Sequence, residues 1–379
     1  MKKVLITYSS YGSGHKSVAQ YIKKYFDEHS DDYEVKIVNI TDYCNFWGKF
    51  SLKFFDAVIN RRAEHFFDAC YEIADSKLLT RYQDRSAKLL FDNKKLRREI
   101  VAFQPDLNIN SHFFGGNLVN YYNKKGYTNS KIISVLTDYA PHYCWLADRK
   151  DQDAFIVANE VMKKEMIEYG VEARKVYPFG IPFDQDRAAK LDSKQTIYKR
   201  YRLDSKLPTF LMFGGGSNGL VAFFNYFKAV VKQDYPANIV FVCGKNEKLK
   251  KKSDDYVKKC KPKNVRVMGF TTDVYNLLKI ADCVISKPGG ATITECMEMN
   301  TPMILMPGLG GQEKYNTRFI RLHSFGTRVR TQSGLIRIMD KIFDHPEILE
   351  KWYKNLCKQD KNDSLAKIFQ LSEKLLNKK

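Results

Sequence analysis

The sequence predicts an α/β protein made of two doubly wound, Rossmann-like domains that face each other across a central cleft. Three observations predict the α/β part. Short apolar runs alternate with helical stretches, the alternation breaks near residue 180 and restarts, and glycine-bearing loops follow several of the runs. Length agrees, because 379 residues exceed one ordinary domain and suit two.

Val4–Tyr8 reads as a buried strand, and the loop SSYGSGH leads from it into a helix over about His15 to Glu28. Val35–Ile40 is the next strand, completing the β-loop-α-β opening of a doubly wound sheet. Asp42 to Arg98 is expected to be largely helical, and it is rich in aromatic and basic residues. Strands recur at Leu107–Ile109, Ile132–Leu136, Ala154–Val157 and Lys175–Tyr177. Pro178 to Asp192, with two prolines and a glycine, is expected to link the domains. The second domain then runs through strands Thr209–Phe213, Asn238–Val242, Val265–Met268, Cys283–Ser286 and Met303–Met306, with a helix over Val274–Ile280. The expected divisions are 1–183, 184–340 and a closing helical block, 341–379.

With 44% apolar and 13% aromatic residues, the chain can bury two cores and is not a disordered polymer. A net charge of +20 calls for a polyanionic partner unless it only reflects lysines on solvated helices. Nucleic acid, anionic headgroups and phosphorylated substrates all qualify; no nucleic-acid-binding motif is visible. The eight cysteines show no CxxC and no zinc-ligand spacing, which suits a reducing cytosol. The N-terminus lacks the apolar stretch of a signal peptide, and no run is long enough to span a membrane. The expectation is a cytoplasmic protein, peripheral on the inner membrane face.

Chemistry gathers in the loops. In SSYGSGH the small residues, Gly14 among them, let backbone N–H groups approach an anion at a helix N-terminus. The third glycine of a dinucleotide fingerprint is missing, which argues against an NAD enzyme. His15, on the first helical turn, is a candidate general base for a substrate hydroxyl; the alternative is a local hydrogen bond. Asp138, His142 and Trp145 cluster in TDYAPHYCW, where they either bind a ligand or satisfy one another. His112, in NSHFFGG, is a third histidine at a strand end.

In the second half, FGGGS offers bare backbone for a pyrophosphate at Gly215, Gly216 and Ser217, or else a tight turn. KPGGATITE is another strand-loop-helix anion site, with Gly290, Ala291 and Thr292 opening its helix. Its Glu295 has capping-box spacing from Thr292, but a carboxylate there also suits the two hydroxyls of a ribose. PGLGGQEKYN sets Gln312 beside Glu313, with Asn316 following, as polar groups for sugar hydroxyls.

KPGGATITE, PGLGGQEKYN and GFTTDVYNLLKIAD resemble the donor-binding domain of the family 28 inverting glycosyltransferases, which include the peptidoglycan N-acetylglucosaminyltransferase. SYGSGHKSVAQ and TDYAPHYCW resemble a narrower branch, the monogalactosyldiacylglycerol synthases and bacterial processive diacylglycerol glucosyltransferases. The resemblance implies a GT-B fold, a closing helix that crosses back to the first domain, and inverting hexose transfer from a UDP-sugar to diacylglycerol without a cofactor or bound metal. It implies Glu295 on the ribose, Gln312 and Glu313 on the sugar, backbone near Phe270 facing uracil, and Gly215, Gly216 and Ser217 near the phosphates. By the same likeness His15 is the base, and Asp138, His142 and Trp145 lie on the acceptor side. The loop PGLGGQE and the order KPGGAT depart from the plant-like pattern and leave the sugar open. A polyprenyl-linked acceptor, a UDP-sugar epimerase and an idle UDP-sugar sensor are the other readings.

Asp151-Gln152-Asp153 and Asp184-Gln185-Asp186 spell the DxD of metal-dependent transferases, but their positions read as solvated loop carboxylates. Phe46, Trp47, Phe50, Phe54, Phe55 and Val58 recur at near-helical spacing among Lys49, Lys53, Arg61 and Arg62. That stripe suits an interfacial helix on an anionic leaflet, or else packs against the first core.

Overall fold

The computed structural model describes residues 1–10, 13–44, 92–215, 221–308, 311–360 and 362–377. The aromatic and basic stripe with Phe46, Trp47, Phe50, Lys53 and Phe54 lies outside the described residues, as do Gly216 and Ser217. The chain divides into two units. The first comprises Met1–Phe183, Leu309–Gln312 and Asn362–Lys379; the second comprises Asp184–Gly308 and Glu313–Lys361.

The first unit runs β1 (Lys2–Tyr8), α1 (Ser13–His29), β2 (Tyr33–Asn39), α2 (Lys94–Phe103), β3 (Leu107–Asn110), α3 (Phe113–Lys124), β4 (Lys131–Val135), β5 (Ala154–Ile156), α4 (Glu160–Glu168) and β6 (Val176–Tyr177). Its six strands lie in the order β2-β1-β3-β4-β5-β6, every pair parallel. The central strands are buried along their length, save for Lys131 at the start of β4, which is why they read as continuous apolar runs instead of alternating ones. β3 departs from that rule: Asn108 and Asn110 are fully buried in it. Asn108 Nδ2 donates to Leu5 O at 3.1 Å and Asn110 Nδ2 to Ile133 O at 3.0 Å, so the sheet takes up both amide N–H groups, while the buried Asn108 Oδ1 finds no hydrogen-bond partner among the described residues. Gly115 and Gly116 let α3 settle onto this polar seam. A Cβ at Gly115 would stand 2.2 Å from Thr7 Oγ1, and one at Gly116 would stand 2.6 Å from Asn110 Nδ2.

The second unit runs α5 (Gln185–Ala189), α6 (Lys194–Tyr201), β7 (Thr209–Phe213), α7 (Val221–Val231), β8 (Asn238–Val242), α8 (Glu247–Cys260), β9 (Val265–Met268), α9 (Val274–Ile280), β10 (Cys283–Ser286), α10 (Gly290–Glu298), β11 (Met303–Leu305), α11 (Gln312–Leu322), β12 (Gly326–Arg328), α12 (Gln332–Asp344) and α13 (Glu347–Leu356). Its strand order is β12-β11-β10-β7-β8-β9, again parallel throughout. The core beneath is aromatic, with Phe227 stacked on Phe241 at 4.4 Å between ring centres.

The closing block 341–379 is not one piece. α12 and α13 stay with the second unit, because Met339, Ile342 and Trp352 are buried in its core. α14 (Ser364–Asn377) belongs to the first unit. Its Phe369 meets the rings of Tyr25, Phe26 and Tyr33, and Asn377 accepts from Lys2. The expected linker is likewise partly structured, since Asp184 caps α5. β12, absent from the expectation, is a three-residue strand with a glycine and two polar residues, too short for an apolar run. A Cβ at its Gly326 would stand 1.9 Å from Met303 O, so only glycine pairs there.

Candidate functional site

Strand order reverses beside β1 in the first sheet, so the crevice for a ligand opens at the carboxyl ends of β1 and β3. β1 feeds α1, whose first turn carries Gly14 and His15; β3 ends directly before Ser111. Ser111 grips His15 twice. Its carbonyl oxygen lies 2.6 Å from His15 Nδ1, and its Oγ donates to His15 O at 2.8 Å. Thr137, following β4, places Oγ1 2.9 Å from the same Nδ1. Burial lowers the pKa of His15, outweighing the Asp138 charge and the Ser111 carbonyl, which raise it. His15 is therefore neutral at pH 7 and can accept a proton.

Around it stand two further histidines. The His112 ring meets His15 edge-on at 4.9 Å, and its Nδ1 accepts Phe114 N–H at the start of α3. Burial holds its pKa well below the ordinary value, and the neighbouring His15 and His142 push the same way. His142 Nδ1 accepts Cys144 N–H at 3.0 Å, and burial lowers its pKa to about 4. Trp145 is a core residue, 4% exposed, edge-on to Phe113 at 5.9 Å. Of the acceptor-side candidates, then, the Asp138 charge acts on His15, His112 lies against its ring and caps α3, His142 caps a turn, and Trp145 is buried against Phe113.

In the second sheet the order reverses at β7 and β10, and two of the glycine loops leave from there. Gly215 has φ 86°, a left-handed conformation that favours glycine. α10 begins at Gly290 behind Gly289, with no side-chain cap, leaving the first amides of Gly290, Ala291 and Thr292 for an anion. Thr292 is thus inside the helix, so Glu295 is not half of a capping box. Tyr275 hydrogen-bonds Glu295 and also accepts Asp184 N–H at 3.1 Å. Burial, and next the Asp184 charge, push Glu295 up to about 7. Lys287 Nζ donates to Glu313 Oε1 at 2.5 Å, and a Cβ at Gly308 would stand 2.0 Å from Glu313 Oε2. Asn316, fully buried, donates to Pro288 O at 3.0 Å and so ties α11 to the KPGG loop. Phe270 is 63% exposed, with Lys245 Nζ 5.1 Å from its ring centre. Gln312 opens α11.

The DxD matches need correction. Asp184 is buried, accepts Arg187 N–H at 3.2 Å and pairs with the Arg187 guanidinium, so it is no solvated carboxylate. Asp151 pairs with Lys124, and Asp153 accepts Ile132 N–H at 2.8 Å. Among the described residues no group of three or more His, Cys, Asp or Glu is placed to hold a metal ion, and no helix is long and apolar enough to cross a membrane. Ser111, Thr137, Tyr275, Asp184 and Lys287 carried no role in the sequence reading. A hydroxyl or lysine directly after a strand was the available signal for Thr137 and Lys287; the Ser111 contact runs through a backbone carbonyl and leaves none.

Two family profiles match the chain: monogalactosyldiacylglycerol (MGDG) synthase over residues 15–183, and glycosyltransferase family 28 C-terminal domain over 210–350. A relative from Bacillus pumilus named processive diacylglycerol beta-glucosyltransferase is 27% identical, covering 100% of this chain and 97% of its own. A protein of the same name from Bacillus licheniformis is 28% identical over 79% of this chain and 78% of its own. Among solved structures, MnaA of S. aureus with UDP is similar at a TM-score of 0.62 and 14% identity, covering 100% of this chain and 97% of that one. MurG of Acinetobacter baumannii matches at 0.62 and 12%, covering 99% and 100%. At such identities these likenesses bear on the fold alone, which is GT-B.

Proposed function

We propose, for a chain whose two halves match the MGDG synthase and glycosyltransferase family 28 C-terminal profiles, inverting transfer of glucose from UDP-glucose to diacylglycerol at the cytosolic membrane face. The similarity to relatives named processive diacylglycerol beta-glucosyltransferases, end to end for the one from Bacillus pumilus, supports that donor and acceptor. The observation that carries the chemistry is His15, neutral, with its Nδ1 occupied. His15 Nε2 takes the proton of the acceptor hydroxyl as that oxygen bonds to the anomeric carbon. The bond from that carbon to the UDP oxygen breaks on the opposite face, and UDP leaves with the electron pair.

The second unit holds the nucleotide. Uncapped amides at the start of α10 face the departing phosphates, so this reading needs no metal. Glu295 takes the ribose hydroxyls, Gln312 and Glu313 the sugar, and backbone near Phe270 the base. Lys287 neutralises Glu313, and with Asn316 it fixes the loop that approaches the sugar. The net charge of +20 supports an anionic membrane as the working surface.

The test is UDP release by the purified protein with diacylglycerol in anionic liposomes, offering UDP-glucose, UDP-galactose and UDP-N-acetylglucosamine separately, with and without EDTA. Acceptor-dependent, EDTA-insensitive release with UDP-glucose is expected. Release with UDP-galactose alone would change the sugar. Silence with all three, alongside measurable UDP binding, would sink diacylglycerol and favour a polyprenyl-linked acceptor.

A further inference from the structure

We infer that Ser111 and Thr137 are positioning residues that fix the tautomer of His15 and hold its positive charge once the proton arrives; this rests on His15 being the base. A carbonyl oxygen only accepts, so Ser111 O at 2.6 Å requires the proton on Nδ1. Thr137 Oγ1, at 2.9 Å from the same nitrogen, is then a second acceptor of that N–H. The lone pair is left on Nε2, the one ring nitrogen these residues do not hold. The backbone is clamped as well, since Ser111 Oγ donates to His15 O.

The geometry has a chemical consequence. When Nε2 takes the acceptor proton, the ring becomes a cation whose Nδ1–H points at two oxygens already in place. Both stabilise the imidazolium without reorganising, as a preorganised site requires. The other groups facing His15 divide by sign. Asp138 favours the cation, while His112 stays neutral under burial and adds no opposing charge at pH 7. Beside the Asp138 charge, a carbonyl and a hydroxyl hold the Nδ1 of this histidine.

The experiment pairs selective 15N-histidine spectra with pH profiles of kcat/KM. In the resting protein His15 is expected to show a protonated Nδ1 and a bare Nε2. Thr137→Val is expected to lower kcat about tenfold, and to move the acid limb of the profile to lower pH, because the protonated ring has lost an acceptor. Thr137→Ser, which keeps the oxygen, restores both to within about twofold. A structural defect alone would lower the rate without moving the limb. The inference is overturned by an Nε2-protonated His15, by an unmoved limb in Thr137→Val, or by Thr137→Ser behaving like Thr137→Val. Full activity in His15→Ala is a separate result: it removes the base itself and leaves the tautomer measurement standing.

Discussion

Both sheets are six parallel strands with one reversal of strand order, and they put that reversal to opposite uses. At its reversal the first sheet presents side chains, a histidine gripped by Ser111 and Thr137. At the corresponding reversal the second sheet presents backbone amides and small turns, with carboxylates set around them. The difference follows from the ligands proposed for each. A hydroxyl must be deprotonated, which takes a titratable group held still. A diphosphate must only be surrounded, which takes N–H groups and the absence of Cβ atoms.

The sharpest way to break this contrast is His15→Ala. Turnover should fall by about 10²- to 10⁴-fold while UDP affinity, measured by calorimetry, stays within about twofold. Equal losses in both would mean that the two sites are not specialised. Next come two glycines with opposite surroundings. Gly115→Ala drives a Cβ to 2.2 Å from Thr7 Oγ1 and should cost about 1–3 kcal/mol in thermal or denaturant unfolding. Gly289 has φ −75°, and its Cβ would meet nothing nearer than Lys287 Cε at 4.0 Å. Gly289→Ala should therefore fold normally, any loss falling on nucleotide affinity.

Glu295→Gln separates stability from binding. The carboxyl titrates near 7 folded, against an ordinary value of 4.5, so its ionisation is harder in the folded state. Its stabilising contribution is complete below about pH 4.5 and is lost as pH rises through about 7. The glutamine variant should match wild type at pH 4 and exceed it by roughly 1 kcal/mol at pH 8, while binding UDP about tenfold more weakly. Gains at both pH values would contradict the raised carboxyl. The smallest contrast is between two lysines. Lys287→Ala removes an ion pair from Glu313, whose side chain is 12% exposed, and should cost about 1 kcal/mol. Lys23→Ala opens a pair with Asp27 at the surface of α1 and should stay within about 0.5 kcal/mol, a difference readable in parallel melts.

Most of the second sheet was legible because its strands are mostly apolar runs bounded by turns, with single polar residues such as Arg266 in β9. Thr209–Phe213, Asn238–Val242, Val265–Met268 and Cys283–Ser286 fall where periodicity puts them. β12 was not legible, since its pairing depends on Gly326 fitting against a neighbouring carbonyl. His15 could be singled out from a histidine behind a glycine loop, but its tautomer could not. That is set by a carbonyl 96 residues away, brought close only by the pairing of β1 with β3. Asp184 was misread for a related reason: its backbone N–H is held by the Tyr275 hydroxyl, 91 residues on. Contacts between distant strand ends are what sequence pattern conveys least.

α14 has a bearing on the order in which the chain is made. Phe26 and Tyr33 precede the second unit in the chain, yet the ring that packs on them, Phe369, follows the whole of it. Throughout synthesis the first unit therefore carries an uncovered aromatic patch, and it closes only after its companion has been translated. A ribosome stalled anywhere between residues 184 and 363 holds a first unit that is folded in outline but sticky, a natural substrate for chaperones.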